Sequence, residues 1–193
     1  MPKRILYIIS GCNGAGKTTA SFTILPEILN CKEFVNADEI AKGLSPFQPE
    51  KVSIEAGRLM LNRIKELLFQ GKTFAFETTL STKSYKNTVK EAQENGYEVI
   101  LLFFWLQSIE LAVERVKQRV IEGGHNIEPN VIERRYNNGI RNLFDIYLPI
   151  VNKAMIFDNS DNIYQLIAEK HNNKINIIDN IKYNTLTQIS NEK

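Results

Sequence analysis

Gly11-Cys12-Asn13-Gly14-Ala15-Gly16-Lys17-Thr18 matches the pattern G-x-x-x-x-G-K-[ST] at every fixed position. Few local patterns constrain a fold as narrowly, because this one works only between a strand and a helix. Both flanks fit. Arg4-Ile-Leu-Tyr-Ile-Ile-Ser10 is apolar, rich in β-branched residues, and reads as a buried first strand. Lys17 to Leu29 reads as the helix that follows, interrupted near Pro26. Glycines let successive amides turn inward and let the backbone approach a phosphate closely. The start of the helix adds a partial positive charge. Lys17 can then reach the β- and γ-phosphates of a nucleoside triphosphate, and Thr18 can offer its hydroxyl to Mg²⁺. The expected nucleotide-binding set is Gly11, Asn13, Gly14, Ala15, Gly16, Lys17, Thr18 and Thr19. ATP and Mg²⁺ are the expected cofactors, with Thr18 as the metal ligand.

Beyond the loop, strand-like and helix-like segments alternate, which predicts an α/β fold with a mainly parallel sheet. Phe34-Val35-Asn36 reads as a short second strand and Glu50 to Gln70 as a long helix. That helix carries apolar residues at Ile54, Leu61, Ile64, Leu67 and Leu68 and stops at Gly71. Thr73 to Glu77 is a third strand, Lys83 to Asn95 a polar surface helix, and Glu98 to Leu106 a central strand apolar on both faces. Ser108 is placed to cap a helix reaching about Glu122, with Ile109, Ala112, Val113, Val116 and Val120 on its apolar face. Gly123-Gly124 breaks it, and a further helix runs from Pro129 to about Arg141. Ala154 to Phe157 reads as the last strand. Residues 1–170 form the expected domain. The tail, 171–193, offers an edge strand at Ile175 to Ile178 and a frayed end from Thr185 to Lys193.

The bulk properties exclude several classes. A chain of 193 residues suits one domain with a core of its own. With 24 Lys and Arg against 22 Asp and Glu, the net charge of +2 makes no case for nucleic acid or a membrane surface as partner. Two cysteines, Cys12 and Cys31, do not make a disulfide scaffold and read as reduced thiols, with Cys12 a spacer within the loop. The N-terminal apolar run is short and leads into glycines rather than a cleavage site. Val99 to Leu106 is far below the ~20 residues that span a bilayer. A cytoplasmic protein is expected.

The phosphate loop does not by itself separate kinases from switch GTPases or motors. No N-K-x-D follows a later strand, as guanine reading would need. The strands that end in an acid do so at Glu77 and Asp158. The size suits a kinase of a small hydroxyl-bearing acceptor, the alternative being a nucleotide-sensing module with little turnover. In an open α/β sheet, ligands lie beyond the carboxyl ends of the strands. Asp38 follows the second strand and suits a general base for an acceptor hydroxyl, but equally a helix N-cap or a partner of metal-bound water. Glu77-Thr78-Thr79 ends the third strand and suits hydrogen bonding to a polyol or sugar, or simple loop capping. Arg115 and Arg119 share one helix flank, and Arg134, Arg135 and Arg141 lie on the next helix. Gly123-Gly124-His125-Asn126 lies between these two helices, the pattern of a lid that closes over phosphates. Arg119 and Arg134 are the candidate catalytic arginines, and His125 is a candidate substrate or lid contact. Trp105 reads as core or pocket wall.

Taken together, Gly11 to Thr19, Asn36-Ala37-Asp38-Glu39-Ile40-Ala41, Phe76-Glu77-Thr78-Thr79-Leu80-Ser81, Arg119-Val120 with Gly123-Gly124-His125, and Arg134-Arg135-Tyr136 resemble the zeta toxin family of P-loop kinases, in its short single-domain form. The resemblance runs from about residue 4 to residue 160. It implies a nucleotide-kinase-type P-loop NTPase fold: a parallel five-stranded core sheet flanked by helices, with a helical lid. It implies phosphorylation of a sugar hydroxyl, with UDP-N-acetylglucosamine as the family's acceptor, and an antitoxin as protein partner. It would make Lys17 and Thr18 the ATP and Mg²⁺ residues, Asp38 the base, and Glu77 and Thr78 acceptor-binding. The spacing of the lid arginines differs from the family's, which leaves open which of Arg115, Arg119, Arg134 and Arg135 correspond.

Overall fold

A computed structural model describes residues 3–124 and 126–192. Its centre is one sheet of seven strands in the order β2-β3-β1-β4-β5-β6-β7. The strands are β1 (Ile5–Gly11), β2 (Phe34–Val35), β3 (Phe74–Thr78), β4 (Glu98–Trp105), β5 (Lys153–Asp158), β6 (Gln165–His171) and β7 (Lys174–Ile177). The first five in spatial order run parallel, which is the expected core. β6 and β7 extend one edge as an antiparallel hairpin. β5 is therefore not the last strand. The edge strand expected at Ile175 to Ile178 is β7, shifted by one residue, while its partner β6 is an addition; the hairpin turns at Asn172, whose φ of +52° asparagine tolerates better than most residues.

β1 and β4 are buried along almost their whole length, as strands covered on both faces must be. The helices around the sheet are α1 (Lys17–Thr23), α2 (Ala37–Leu44), α3 (Ser53–Phe69), α4 (Tyr85–Glu94), α5 (Ile109–Ile121), α6 (Pro129–Asn142), α7 (Leu148–Ile150) and α8 (Asn180–Asn191). After α1 the chain passes into a wider turn at Ile24–Ile28, which contains Pro26. α3 buries Ala56, Met60, Ile64, Leu67 and Leu68. The expected core residues Ile54 and Leu61 instead face outward, at 75% and 43% exposure. Met60, not Leu61, continues the stripe of Ile64 and Leu67 at helical spacing. Ser108 caps α5 by accepting from the Leu111 amide at 3.1 Å.

The stretch expected to fray is helical through Asn191. Asp179 caps α8 by accepting from the Lys182 amide, Leu186 is fully buried, and Tyr183 meets Phe144 edge-on at 5.7 Å. Tertiary burial thus orders a segment whose sequence carries little helical pattern. Among the described residues, no helix is long and apolar enough to cross a membrane.

Candidate active site

The sheet order places β1 between β3 and β4, so the loop after β1 opens where the strand connections diverge. Gly14 and Gly16 take φ of +80° and +78°, conformations that L side chains rarely adopt. A Cβ on Gly16 would also stand 2.5 Å from the Asn159 amide nitrogen. Lys17 is buried, donates from Nζ to the Cys12 carbonyl at 2.8 Å, and lies 3.7 Å from Glu77 Oε1. Burial pushes the Cys12 thiol up to about 11, with Lys17 acting in the opposite direction. A neutral buried thiol suits the spacer role and not a nucleophile.

Parallel register sets Glu77 opposite Ile9 and Thr78 opposite Ser10, beside the mouth of the loop. Glu77 Oε2 accepts from Thr18 Oγ1 and from Asn36 Nδ2, both at 2.9 Å. Burial raises the Glu77 pKa, and Lys17 and Thr18 oppose that rise. The Thr18 hydroxyl and the Glu77 carboxylate form a compact oxygen pair next to the phosphate cradle. Mg²⁺ prefers one or two protein oxygens completed by phosphate and water, and this pair fits that preference. Among the described residues there is no group of three or more His, Cys, Asp or Glu that could hold a metal without a ligand's help.

The N-cap of α2 is Asn36, not Asp38. Its side-chain oxygen accepts from the Asp38 amide at 2.8 Å and from the Glu39 amide at 3.4 Å. Asp38 is therefore not used as a cap, and its carboxylate stands exposed in the first turn of the helix.

Asp38 borders four cavities, two of which are also lined by Lys17 and Glu77. One, of about 430 Å³, is bordered by the phosphate loop, Lys17, Thr18, Thr19, Asp38, Glu77, Arg115, Arg119 and Asn159. The other, of about 240 Å³, is bordered by Asn13, Lys17, Asn36, Asp38, Glu77, Thr78, Thr79, Ser81, Thr82, Tyr85 and Arg135. The first has the room and polarity for a nucleoside triphosphate. The second is lined with hydroxyls and amides and has the size of a monosaccharide.

The expected arginines divide. Arg119 borders the first cavity and a neighbouring one with Gly123 and Gly124. Arg134 is exposed and lines neither cavity. The place expected of Arg134 is taken by Arg135, which lines the second cavity and donates to Asn13 Oδ1 at 3.1 Å. Burial works against the Arg135 charge, and the neighbouring Asp38 carboxylate supports it. Arg115 lines the first cavity while its guanidinium donates to the Ser160 carbonyl at 2.8 Å. His125 lies outside the described residues. Trp105 is core: it is buried and donates to the Tyr136 hydroxyl at 2.8 Å, which donates to the Leu106 carbonyl at 2.7 Å.

Two supports had no expectation attached to them. Leu80 is buried with φ of +58°, a strained conformation for a side chain of its size. The Thr78 hydroxyl accepts from its amide at 3.1 Å, and Asn142 Nδ2 donates to its carbonyl at 2.8 Å. Gly139 brings α6 so close that a Cβ there would stand 2.7 Å from the Thr79 carbonyl oxygen. Helix α6 thus holds the loop that walls the second cavity.

A parallel core of this order, with a phosphate loop at the end of its central strand and an acid beside it, defines a P-loop fold of the nucleotide-kinase type. Within that class, the chain belongs to the zeta toxin family, whose model matches residues 2–172. An uncharacterised protein of Haemophilus influenzae is 32% identical over 134 residues, covering 69% of this chain and 92% of its own. The AvrRxo1-ORF1:AvrRxo1-ORF2 complex with sulphate ions superposes with a TM-score of 0.80 at 17% identity over 98% of this chain. The same complex with ATP superposes at 0.78. This chain spans only 65% of that AvrRxo1 chain's length. A structure from the PezAT chromosomal toxin-antitoxin system of Streptococcus pneumoniae superposes at 0.67 with 18% identity, covering 98% of this chain and 85% of that one. At these identities the superpositions speak to fold.

Proposed function

We propose that this protein transfers the γ-phosphoryl group of ATP to a hydroxyl of a sugar or nucleotide sugar, with UDP-N-acetylglucosamine as the reference acceptor. The observation that carries this reading is Asp38, an uncapped carboxylate standing where the triphosphate-sized cavity meets the hydroxyl-lined one. Phosphoryl transfer needs positioning and charge neutralisation more than covalent chemistry from the protein. Lys17 and the inward amides of residues 11–18 bind the polyphosphate. Arg119 borders the γ end and can stabilise the spreading negative charge. Thr78 and Glu77 orient the acceptor, and Asp38 takes its hydroxyl proton as the new P–O bond forms. Mg²⁺, held through Thr18 and Glu77, would neutralise charge between the phosphates.

Residues 1–170 carry every one of these groups and are the catalytic unit of the proposal. The PezAT toxin-antitoxin system supports an antitoxin as protein partner. Two free, buried cysteines and the use of ATP support a cytoplasmic setting.

The test is incubation with ATP, Mg²⁺ and a panel of sugars, polyols and UDP-sugars, followed by phosphorus NMR. A new phosphomonoester resonance with one member of the panel is expected. ATP binding without any product would replace the kinase reading with that of a nucleotide-sensing module.

A further inference from the structure

The family match ends at residue 172, so α8 lies wholly beyond it. One side chain of that helix nevertheless reaches the nucleotide cavity's supporting structure. Lys182 Nζ lies 2.7 Å from Asp158 Oδ2 at the end of β5, a carboxylate only 5% exposed. The other oxygen, Asp158 Oδ1, accepts from the Ser160 amide at 2.8 Å and from the Ser160 hydroxyl. Ser160 is held in turn by Gln107, whose amide donates to its hydroxyl at 2.9 Å. Its carbonyl accepts from Arg115.

Asp158 and Ser160 begin the loop that forms one wall of the larger cavity. Asn159, Asn162 and Tyr164 of that loop line the cavity, together with Arg115. Asn159 Nδ2 donates to the Ala15 carbonyl at 3.0 Å, so the loop is also tied to the phosphate loop. The phosphate end of the cavity is built by residues 14–19, and this wall stands beside it. A nucleoside triphosphate with its phosphates in the cradle would lay its base and ribose along the 159–164 wall.

We propose that Lys182 is a positioning residue for the nucleoside end of the donor site, acting through Asp158 to fix the 159–164 wall. The proposal rests on the reading of the larger cavity as the nucleoside triphosphate site. Burial works against the Asp158 charge, but the hydrogen bonds from Lys182 and Ser160 outweigh it and hold its pKa below the ordinary value. The pair is therefore ionised and engaged at neutral pH. α8 itself is anchored independently of this contact, by buried Leu186, by Tyr183 on Phe144, and by Arg141 donating to the Glu192 carbonyl at 2.7 Å. Loss of the ammonium should leave the helix in place and slacken the wall.

The experiment compares ATP with inorganic tripolyphosphate, which occupies the cradle but has no base. Full-length wild type, Lys182→Met, Lys182→Arg and Lys17→Ala are titrated with each by calorimetry, and thermal melts are recorded. Lys182→Met keeps the stem and removes the charge. It is expected to weaken ATP roughly tenfold and leave tripolyphosphate unchanged, with Lys182→Arg restoring ATP affinity. Equal ATP affinity in wild type and Lys182→Met would overturn the proposal. Equal weakening of both ligands would also overturn it, showing a merely structural role. If Lys17→Ala still binds both ligands as wild type does, the donor-site reading itself fails and the proposal fails with it.

Discussion

Arg135 on α6 donates to Asn13 Oδ1 in the phosphate loop at 3.1 Å, joining residues 122 positions apart at the boundary between the two cavities. This contact puts a guanidinium beside Asp38, where an acceptor hydroxyl would lose its proton. Arg134, one residue earlier, points to solvent.

The two arginines should therefore separate cleanly in mutagenesis. Arg135→Ala is expected to lower phosphoryl transfer on the order of 10²–10³-fold, the scale for removing one group that stabilises developing charge. Arg134→Ala should leave transfer nearly unchanged and alter stability by no more than about 0.5 kcal/mol. Initial rates with the acceptor identified by NMR, and urea denaturation of both variants, check this.

The choice between these arginines was legible in the sequence, although the motif alone did not show it. Ile132, Tyr136, Ile140 and Leu143 are the buried stripe of α6 and its continuation. At ~100° per residue, Arg134 falls roughly opposite that stripe and Arg135 on its flank. The phosphate loop and the parallel core were readable because their local patterns are strong and self-sufficient. The same is true of Asp38 as a strand-end acid. The sequence offered Asp38 as a possible cap, but the helix begins at Ala37, one residue before it, and its cap is Asn36. β6 and α8 were least legible. Gln165 to His171 has mixed polarity, and its strand forms because β5 offers a free edge for pairing. α8 forms because Leu186 and Tyr183 find a core to enter.

Asp38 carries the proposed proton transfer, and its removal should affect chemistry and not donor binding. Asp38→Ala is expected to lower the turnover number roughly 10²–10⁴-fold. ATP affinity, measured by titration without acceptor, should stay within a few-fold of wild type. Asp38→Asn should be as inactive as the alanine variant, because an amide keeps the shape but cannot accept the proton. Retained transfer in Asp38→Asn would rule out the base assignment.

Asn142 should control the acceptor side through the Leu80 carbonyl. Asn142→Ala leaves that buried carbonyl without its donor, at a cost of about 1–3 kcal/mol. The strained Leu80 backbone then loses one of its two side-chain supports. The expected kinetic signature is a raised KM for the acceptor with the KM for ATP little changed, because the larger cavity is bordered by other segments. Gly139→Ala should act in the same direction by pushing the Thr79 carbonyl away from α6. Steady-state kinetics with each substrate varied in turn reads both effects.

Asp158 gives a pH dependence whose sign is fixed by its depressed pKa. Its ordinary value is 3.8, and the bonds from Lys182 and Ser160 place the folded-state value below that. A carboxyl group of this kind contributes stability that is fully present above the unfolded value and is lost as pH falls through the folded one. Asp158→Asn should therefore be less stable than wild type by about 1–3 kcal/mol near neutrality, the scale for hydrogen bonds to a charged group. The gap should stay constant from pH 7 down to about 4.5 and close only as the pH falls below about 4. Urea denaturation of both proteins across that range measures it. A gap that shrinks between pH 7 and pH 5 would mean that a different group is titrating and that the Lys182 contact does not hold Asp158 as its geometry requires.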